Sequence, residues 1–305
     1  MSNWPATVDE ILHGDQIVGF AYVTPASGVV LQPLTNMGHP TEPVSSSVGM
    51  YKKLQRIQKN PHVAVAYHTR KHGFSERPEY VLVQGRGSLT PVEQRDWIEH
   101  HRDDWVRFAG PLPNNRFTEW WLREYHWRVG VELDIARVFV WSDLACDGDP
   151  AIAGTPPPDA PPPPQKPPGK GTAPRIPHEK AARRAAGLPH VLVGWVGSDG
   201  FPVVVPVEVL GAEERGIRLQ APKSMLPDGG RRAGLLAHDF ARHAVGQNLA
   251  KHTGWLEPVG EGAALYAPHT RAGYHMPESR LLFKTASAIV TKWRAREARR
   301  EGFIR

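Results

Sequence analysis

The segment SSSVGMYKKLQRIQKN, at residues 45–60, carries the side chains with the clearest chemical potential. Three serines precede a helical pattern that bears Lys52, Lys53 and Arg56. Free N–H groups at a helix N-terminus, serine hydroxyls and lysine ammonium groups together make a good binding site for phosphate. The alternative is an ordinary amphipathic helix whose basic side chains are solvated. The residues of this segment alone leave both interpretations open.

A helix and two strands would position this segment. Apolar side chains at every third position predict a helix over residues 48–59, for which Ser47 is a plausible N-cap. Pro61 cannot continue the helix, and the alternating pattern that follows predicts strands near 62–69 and 79–89. The basic side chains would therefore sit at the end of one strand and the beginning of the next.

Size and composition bound the class of protein. The chain has 305 residues, which is more than one core usually serves, so two domains are expected. A net charge of +6 favours anionic partners. Cys146 is the only cysteine and excludes an internal disulfide framework. The sequence has neither a signal-peptide pattern nor an apolar run of membrane-spanning length, so we expect a cytoplasmic protein with no membrane partner.

A proline-rich segment at residues 151–175 divides the chain. It has almost no apolar side chains and predicts an extended linker between a first domain at 1–150 and a second at 176–305. Each domain opens with a strand–turn–strand pattern, and a polar stretch and a basic segment follow. We interpret this order as a diverged internal duplication of a small barrel.

Three helical regions are expected besides the basic helix. The order Thr90-Pro91-Val92-Glu93 predicts the start of a helical insertion at about residues 90–128. In the second domain a helix is predicted from about Arg231 to Asn248, and a basic helix is predicted at the C-terminus. The fold class that follows is mostly β with helices (α+β).

The order of these elements resembles the pyridoxamine 5′-phosphate oxidase-like family of split β-barrels, which bind FMN or the deazaflavin F420. The resemblance covers most of 8–141 and is looser over 188–270. It is carried by the opening hairpin at 17–35, by MYKKLQRIQKNPHVAVAY, by YVLVQGRGSL at 80–89 and by ARVFVW at 136–141. The resemblance implies two split β-barrel domains in tandem, joined by the Pro-rich linker.

The resemblance also implies which residues bind the cofactor. Lys53 stands seven residues before Asn60, at the position of the lysine or arginine that contacts the cofactor phosphate in many members. In the second domain, Arg231 and Arg232 would take the equivalent place. The other implied residues are Lys52 and Arg56 beside Lys53, the hydroxyl residues Ser46 and Ser47, and Gln32, Thr35 and Gln84 along the ring system.

The function implied is an oxidoreductase that uses FMN, or alternatively F420, on a small organic substrate. The chain reads SDLACDGD after Trp141 in place of the substrate motif of true pyridoxamine phosphate oxidases, so that substrate is not expected. Because the flavin supplies the redox chemistry, this function does not require a pair or triad of catalytic side chains. The cofactor would lie between two barrels, in an intramolecular pseudo-dimer or a homodimer.

Two other classes of function compete with this one. The first is a non-catalytic split-barrel protein that carries flavin or, less expected, haem. The second is a nucleic-acid-binding protein that uses the C-terminal arginines, and we expect a small molecule rather than nucleic acid as the partner. The i, i+4 pairs His100/Asp104 and Asp239/His243 lack a third ligand at a recognisable spacing, so no metal site is predicted.

Overall fold

The computed structural model describes residues 4–112, 115–223 and 225–305. The expected fold class, mostly β with helices, is confirmed, and the strands form two antiparallel sheets. The strands are β1 (Ile17–Val23), β2 (Val29–Thr35), β3 (Val44–Ser47), β4 (His62–Tyr67), β5 (Tyr80–Leu89), β6 (Arg128–Trp141), β7 (Ala151–Gly154), β8 (His190–Val196), β9 (Pro202–Pro206), β10 (Glu208–Glu213), β11 (Gly216–Gln220), β12 (Arg231–Asp239), β13 (Asn248–Gly260), β14 (Ala263–Pro268) and β15 (Ala272–His275). The helices are α1 (Ala6–Gly14), α2 (Tyr51–Lys59), α3 (Trp97–His100), α4 (Arg102–Ala109), α5 (Arg116–His126), α6 (His178–Ala186) and α7 (Arg280–Arg300).

The first sheet closes into a barrel. Its strand order is β2-β1-β4-β5-β6-β3, with β7 added beside β6. A bridge between Asn36 and Val44 joins the two ends of this order, so β3 returns to β2. Apolar side chains from alternate strand positions, such as Phe20, Val65 and Val83, fill the interior.

The second sheet has the order β10-β11-β14-β13-β12-β8-β9, with β15 paired to β13. The helix predicted from Arg231 to Asn248 is wrong, because Arg231–Asp239 forms strand β12 between β8 and β13. Its apolar side chains are buried on both faces, as in Leu235 and Leu236. A short apolar run of this kind cannot be distinguished from a buried helix by its periodicity.

The two sheets pack face to face and share one core. Leu31 of the first sheet lies in the same apolar cluster as Leu192 and Leu236 of the second. Gly234 permits this contact, since a Cβ there would lie only 2.6 Å from the carbonyl oxygen of Val29. The division into separate domains at 150 and 176 stays a prediction.

The Pro-rich segment lies against both sheets. The Gln165 amide nitrogen donates to the carbonyl oxygen of Ser27 at 2.8 Å, and its oxygen accepts from the backbone N–H of Arg232 at 2.8 Å. Arg231 donates to the carbonyl oxygen of Pro162 at 2.5 Å. A segment with few apolar side chains is thus fixed by hydrogen bonds rather than by burial.

Of the two other helical predictions, the start of the insertion was wrong and the C-terminal helix is confirmed. The insertion does not begin at Pro91, because α3 starts at Trp97 and the hydroxyl of Thr90 accepts from the N–H of Gly130 at 2.9 Å. The C-terminal helix is present as α7, and its Ala295 and Ala298 pack on Val48 beside α2. Within the described residues, no helix is long and apolar enough to cross a membrane.

Candidate functional site: a buried cationic cluster

Lys53 is the most unusual side chain in the first barrel. It is only 4% exposed, because α2 turns it inward beside the apolar positions Leu54 and Ile57. Within the described residues, its ammonium group has no hydrogen bond or ion pair. A buried lysine without a partner is costly, since the charged form loses its hydration.

Other cations surround Lys53 instead of carboxylates. Burial, and then the positive charges of Arg128 and Lys251, hold the pKa of Lys53 well below its usual range. Burial, and then the charges of Arg294 and Arg56, lower the pKa of Lys251 to about 8. We call these five residues the cationic cluster. They come from α2, β6, β13 and α7, so both sheets and the C-terminal helix contribute.

Arg128 is held in place by the chain around it. Its Nε donates to the hydroxyl of Ser45 at 3.2 Å, and its Nη2 donates to the carbonyl oxygen of the same serine at 3.3 Å. The guanidinium lies over the ring of Trp105 at 5.2 Å and that of Tyr125 at 5.7 Å. None of these partners carries a negative charge.

The carboxylate that approaches the cluster is already engaged. Glu297 lies near Arg294, but it accepts hydrogen bonds from Lys52 at 2.8 Å and from Tyr51 at 3.0 Å. No member of the cluster forms an ion pair with a carboxylate of the described residues. The arrangement is therefore an excess of positive charge that is buried at Lys53 and partly buried at the other four residues.

The serines and the helix N-terminus serve the fold. Ser46 and Ser47 are both buried. Ser47 is the N-cap of a 3₁₀ turn, Val48–Met50, that leads into α2, since its hydroxyl accepts from the N–H of Gly49 at 3.2 Å. The N–H of Val48 donates to the carbonyl oxygen of Trp127 at 3.2 Å. These first amides have partners within the protein, so the exposed helix N-terminus expected from the sequence is not formed.

The structure separates two basic residues that are neighbours in the sequence. Arg56 belongs to the cationic cluster and lies 6.0 Å from the ring of Tyr22. The side chain of Lys52 is 66% exposed and is bound to Glu297, away from Lys53. Successive helix positions point about 100° apart, which explains the separation.

The ring-side residues do not come together. Thr35 lines a small cavity of about 30 Å³ with Arg128 and Tyr125. Gln32 is an odd number of positions away on a regular strand and thus faces the opposite side of β2, with Val30. One ring system therefore does not contact both residues along this strand.

Gln84 links the two sheets through hydrogen bonds of its side-chain amide. Its amide nitrogen donates to the carbonyl oxygen of Pro202 at 2.7 Å, and its oxygen accepts from Arg137 Nε at 2.5 Å. Arg137 also pairs with Asp199 of the second sheet. Because both ends of the amide have protein partners, Gln84 has a structural role in this arrangement.

The equivalent positions in the second sheet also differ from the expectation. Arg231 lies on β12 and not at a helix N-terminus, and its guanidinium is bonded to the Pro-rich segment. The backbone of Arg232 binds the same segment. These two residues and the cationic cluster form separate groups.

Sequence reasoning missed Arg128 and Lys251, and it considered Arg294 only among the C-terminal arginines for nucleic-acid binding. They are far from Lys53 in the chain, and each stands in an unremarkable local pattern. The sequence does contain a signal for Lys251, because a cation in the middle of a half-buried strand pattern is unusual.

The paired histidines and aspartates of the sequence have other partners. Asp104 binds His39 at 2.8 Å, and Asp239 pairs with Lys71. In residues 4–112, 115–223 and 225–305, no group of three His, Cys, Asp or Glu side chains is arranged to hold a metal ion.

Comparison with known proteins gives structural neighbours only. No protein-family model and no curated protein matches the chain. A pyridoxamine 5′-phosphate oxidase-related, FMN-binding protein from Nostoc punctiforme matches at a TM-score of 0.32 and 12% identity, over 52% of this chain and 99% of that one. General Stress Protein 26 from Bacillus anthracis matches at 0.32 and 16%, over 49% and 96%. A heme-binding protein from Mycobacterium smegmatis matches at 0.34 and 11%, over 96% and 99%. All three TM-scores are below 0.5 and all three identities are 16% or lower, so no function follows from them.

Proposed function

We propose that this protein binds the phosphate of a flavin-type cofactor, FMN in the first place, at the cationic cluster. The observation that carries the proposal is the buried, unpartnered ammonium of Lys53 facing Arg128 and Lys251. A buried charge is retained when a partner compensates it, and here the described chain supplies no such partner. A phosphate offers up to two negative charges and three acceptor oxygens, which suits a ring of cations.

The cationic cluster is better suited to the phosphate of a flavin than to the flavin ring system. The cavity next to Arg128 holds about 30 Å³, room for one or two water molecules. Phe283 and Lys284 of α7 line it. A ring could enter here only if at least one of the elements that line the cavity moves outward. Lys53, Arg128 and Lys251 would hold the phosphate, with Arg56 and Arg294 behind them, and a bound flavin would supply hydride or electron transfer.

The cluster draws its cations from both halves of one chain, which supports an intramolecular pseudo-dimer. An oxidoreductase acting on a small organic molecule is the activity that the resemblance implies. F420 is the alternative cofactor, since it also presents a phosphate. A non-catalytic flavin carrier is favoured by one observation, namely that Gln32 and Gln84 do not meet at a common ring site.

The test is the absorption spectrum of the purified protein after incubation with FMN and desalting. We expect flavin bands with the unaltered protein and with Lys52→Met, and no flavin bands with Lys53→Met. Lys52 is the matched control because it is the same residue type one position away and lies outside the cluster. Flavin retained by Lys53→Met would refute the proposed phosphate site. A spectrum with F420 in place of FMN distinguishes the two cofactors.

A further inference from the structure

A second cavity lies in the other half of the chain, under α6. It measures about 380 Å³ and is formed by α6, β13 and β15. Ile176, Ala181 and Ala250 provide apolar walls. The volume is within the usual range of small-molecule sites, and α6 closes one side of it.

His252 lines this cavity and carries a buried hydrogen-bond acceptor. It is only 3% exposed, and its Nδ1 lies 2.9 Å from the carbonyl oxygen of Thr270. A carbonyl can only accept, so Nδ1 carries the proton and Nε2 carries a free lone pair. Nε2 is buried and has no partner within the described residues. Burial lowers the pKa of His252, which keeps the imidazole neutral at pH 7.

The charged residues of this cavity are of one sign. Lys180, Arg184 and Arg271 line it, and no Asp or Glu is among the lining residues. Arg184 also donates to the amide oxygen of Asn248 at 2.6 Å, which orients it beside β13. An apolar body, a buried acceptor and several cations together suit an organic anion that also carries an N–H or O–H donor.

This cavity and the cationic cluster lie on opposite faces of one strand. Side chains alternate along β13, so His252 and Ala250 point away from Lys251. Ala250 packs with Ala185 of α6, whereas Lys251 belongs to the cluster between the sheets. The two sites can therefore be altered separately.

We propose that the cavity under α6 binds an organic anion of nucleoside-monophosphate type, with a ring N–H donating to His252 Nε2 and the phosphate held by Lys180, Arg184 and Arg271. The apolar side chains that line the cavity would contact the ring. This site goes beyond the proposed flavin site and shares none of its cations.

The experiment is calorimetric titration of the full chain with UMP, whose uracil N3–H is the donor. We expect binding with Kd below about 1 mM, the range of a modest small-molecule site. His252→Phe and Arg271→Glu should each weaken it by at least about tenfold, the effect of one lost hydrogen bond or charge contact. Lys170→Glu makes the same charge change as Arg271→Glu at an exposed position outside the cavity and should leave the affinity unchanged.

Several outcomes would overturn the inference. These are no heat of binding with UMP, equal affinity of the His252→Phe variant, or inorganic phosphate alone binding as tightly as UMP. UMP binding that disappears in Lys53→Met would assign the nucleotide to the cationic cluster instead. If His252→Phe does not fold, the ¹⁵N shift of His252 Nε2 during titration of the unaltered protein decides, because a new hydrogen bond moves it and its absence leaves it in place.

Discussion

His68 and His238 meet across the interface of the two sheets with their Nε2 atoms 2.7 Å apart. His68 Nδ1 lies 3.0 Å from the carbonyl oxygen of Ala66, so it carries the proton and leaves Nε2 as an acceptor. His238 must then donate through Nε2–H, and its Nδ1 has no partner among the described residues. His190 adds a third ring, 5.3 Å from that of His238. The contact therefore requires at least one of the two imidazoles to be neutral, because two protonated rings would bring two N–H groups together.

We expect acid to destabilise the protein through these histidines. Burial lowers the pKa of His68 to about 3 and holds the pKa of His238 well below its usual 6.5. Above pH 6.5 neither the folded nor the unfolded state binds the proton, and as the pH falls from 6.5 towards 3 only the unfolded state gains it. The free energy of unfolding should fall by about 1.4 kcal/mol per pH unit for each such histidine. Urea unfolding between pH 7.5 and 5 measures this.

The charged groups near the three histidine rings have opposite effects on the protonation of those rings. Arg70 opposes protonation of His68, and Lys71 opposes protonation of His190 and His238. Asp239 favours protonation of His190. In His238→Phe the loss of stability with falling pH should be shallower than in the unaltered protein. His100→Phe, an exposed histidine, should keep the original slope. Equal slopes in all three proteins would show that the buried histidines do not control acid stability.

Lys53→Met should stabilise the protein in the absence of ligand. The folded state disfavours the charged lysine, whereas the unfolded state keeps it, so the charge costs stability at pH 7. Replacement by an apolar side chain of similar length should raise the free energy of unfolding by about 1–3 kcal/mol. The difference from the unaltered protein should shrink as the pH rises towards 10.5. Denaturant unfolding at pH 7 and 9.5, with Lys59→Met as the control at an exposed position of the same helix, checks both statements.

Gln84→Met should cost stability and keep flavin binding. The substitution removes the hydrogen-bond partner of the carbonyl of Pro202 and of Arg137 Nε, while the guanidinium keeps its pair with Asp199. The loss should be about 1–3 kcal/mol, as for other unsatisfied buried polar groups. Unfolding curves and flavin retention after desalting are measured on the same preparation. Unchanged stability together with lost flavin would instead support the ring contact that the family resemblance implies.

Local patterns in the sequence predicted the parts of the site that are local in the chain. The hairpin of β1 and β2, the helix beginning after Ser47 and its stop at Asn60 all follow from neighbouring residues. Strand β12 was missed, since burial on both faces removes the alternation that marks a strand.

The rest of the site depends on contacts between distant residues. Lys53 could be predicted as a site residue from its spacing to Asn60. Lys251 could not, because it is about two hundred residues away from Lys53 in the chain. Which cations face it is decided by how the second sheet and α7 pack on the first barrel. Spacing along one strand also cannot reveal that the amide of Gln84 is bonded to the second sheet.

Arg294→Glu should convert the cationic cluster into a partly neutralised one. A carboxylate on α7 would face Lys251, whose pKa is lowered to about 8 by burial first and by Arg294 next. The pKa of Lys251 should rise towards its usual 10.5, and the affinity for FMN should fall by at least about tenfold, because a phosphate would meet a like charge. NMR titration of the lysine side chain and fluorimetric titration with FMN give the two values. Arg300→Glu, at an exposed position of the same helix, should change neither the pKa of Lys251 nor the affinity for FMN. If the pKa of Lys251 is the same in Arg294→Glu as in the unaltered protein, α7 does not complete the cationic cluster.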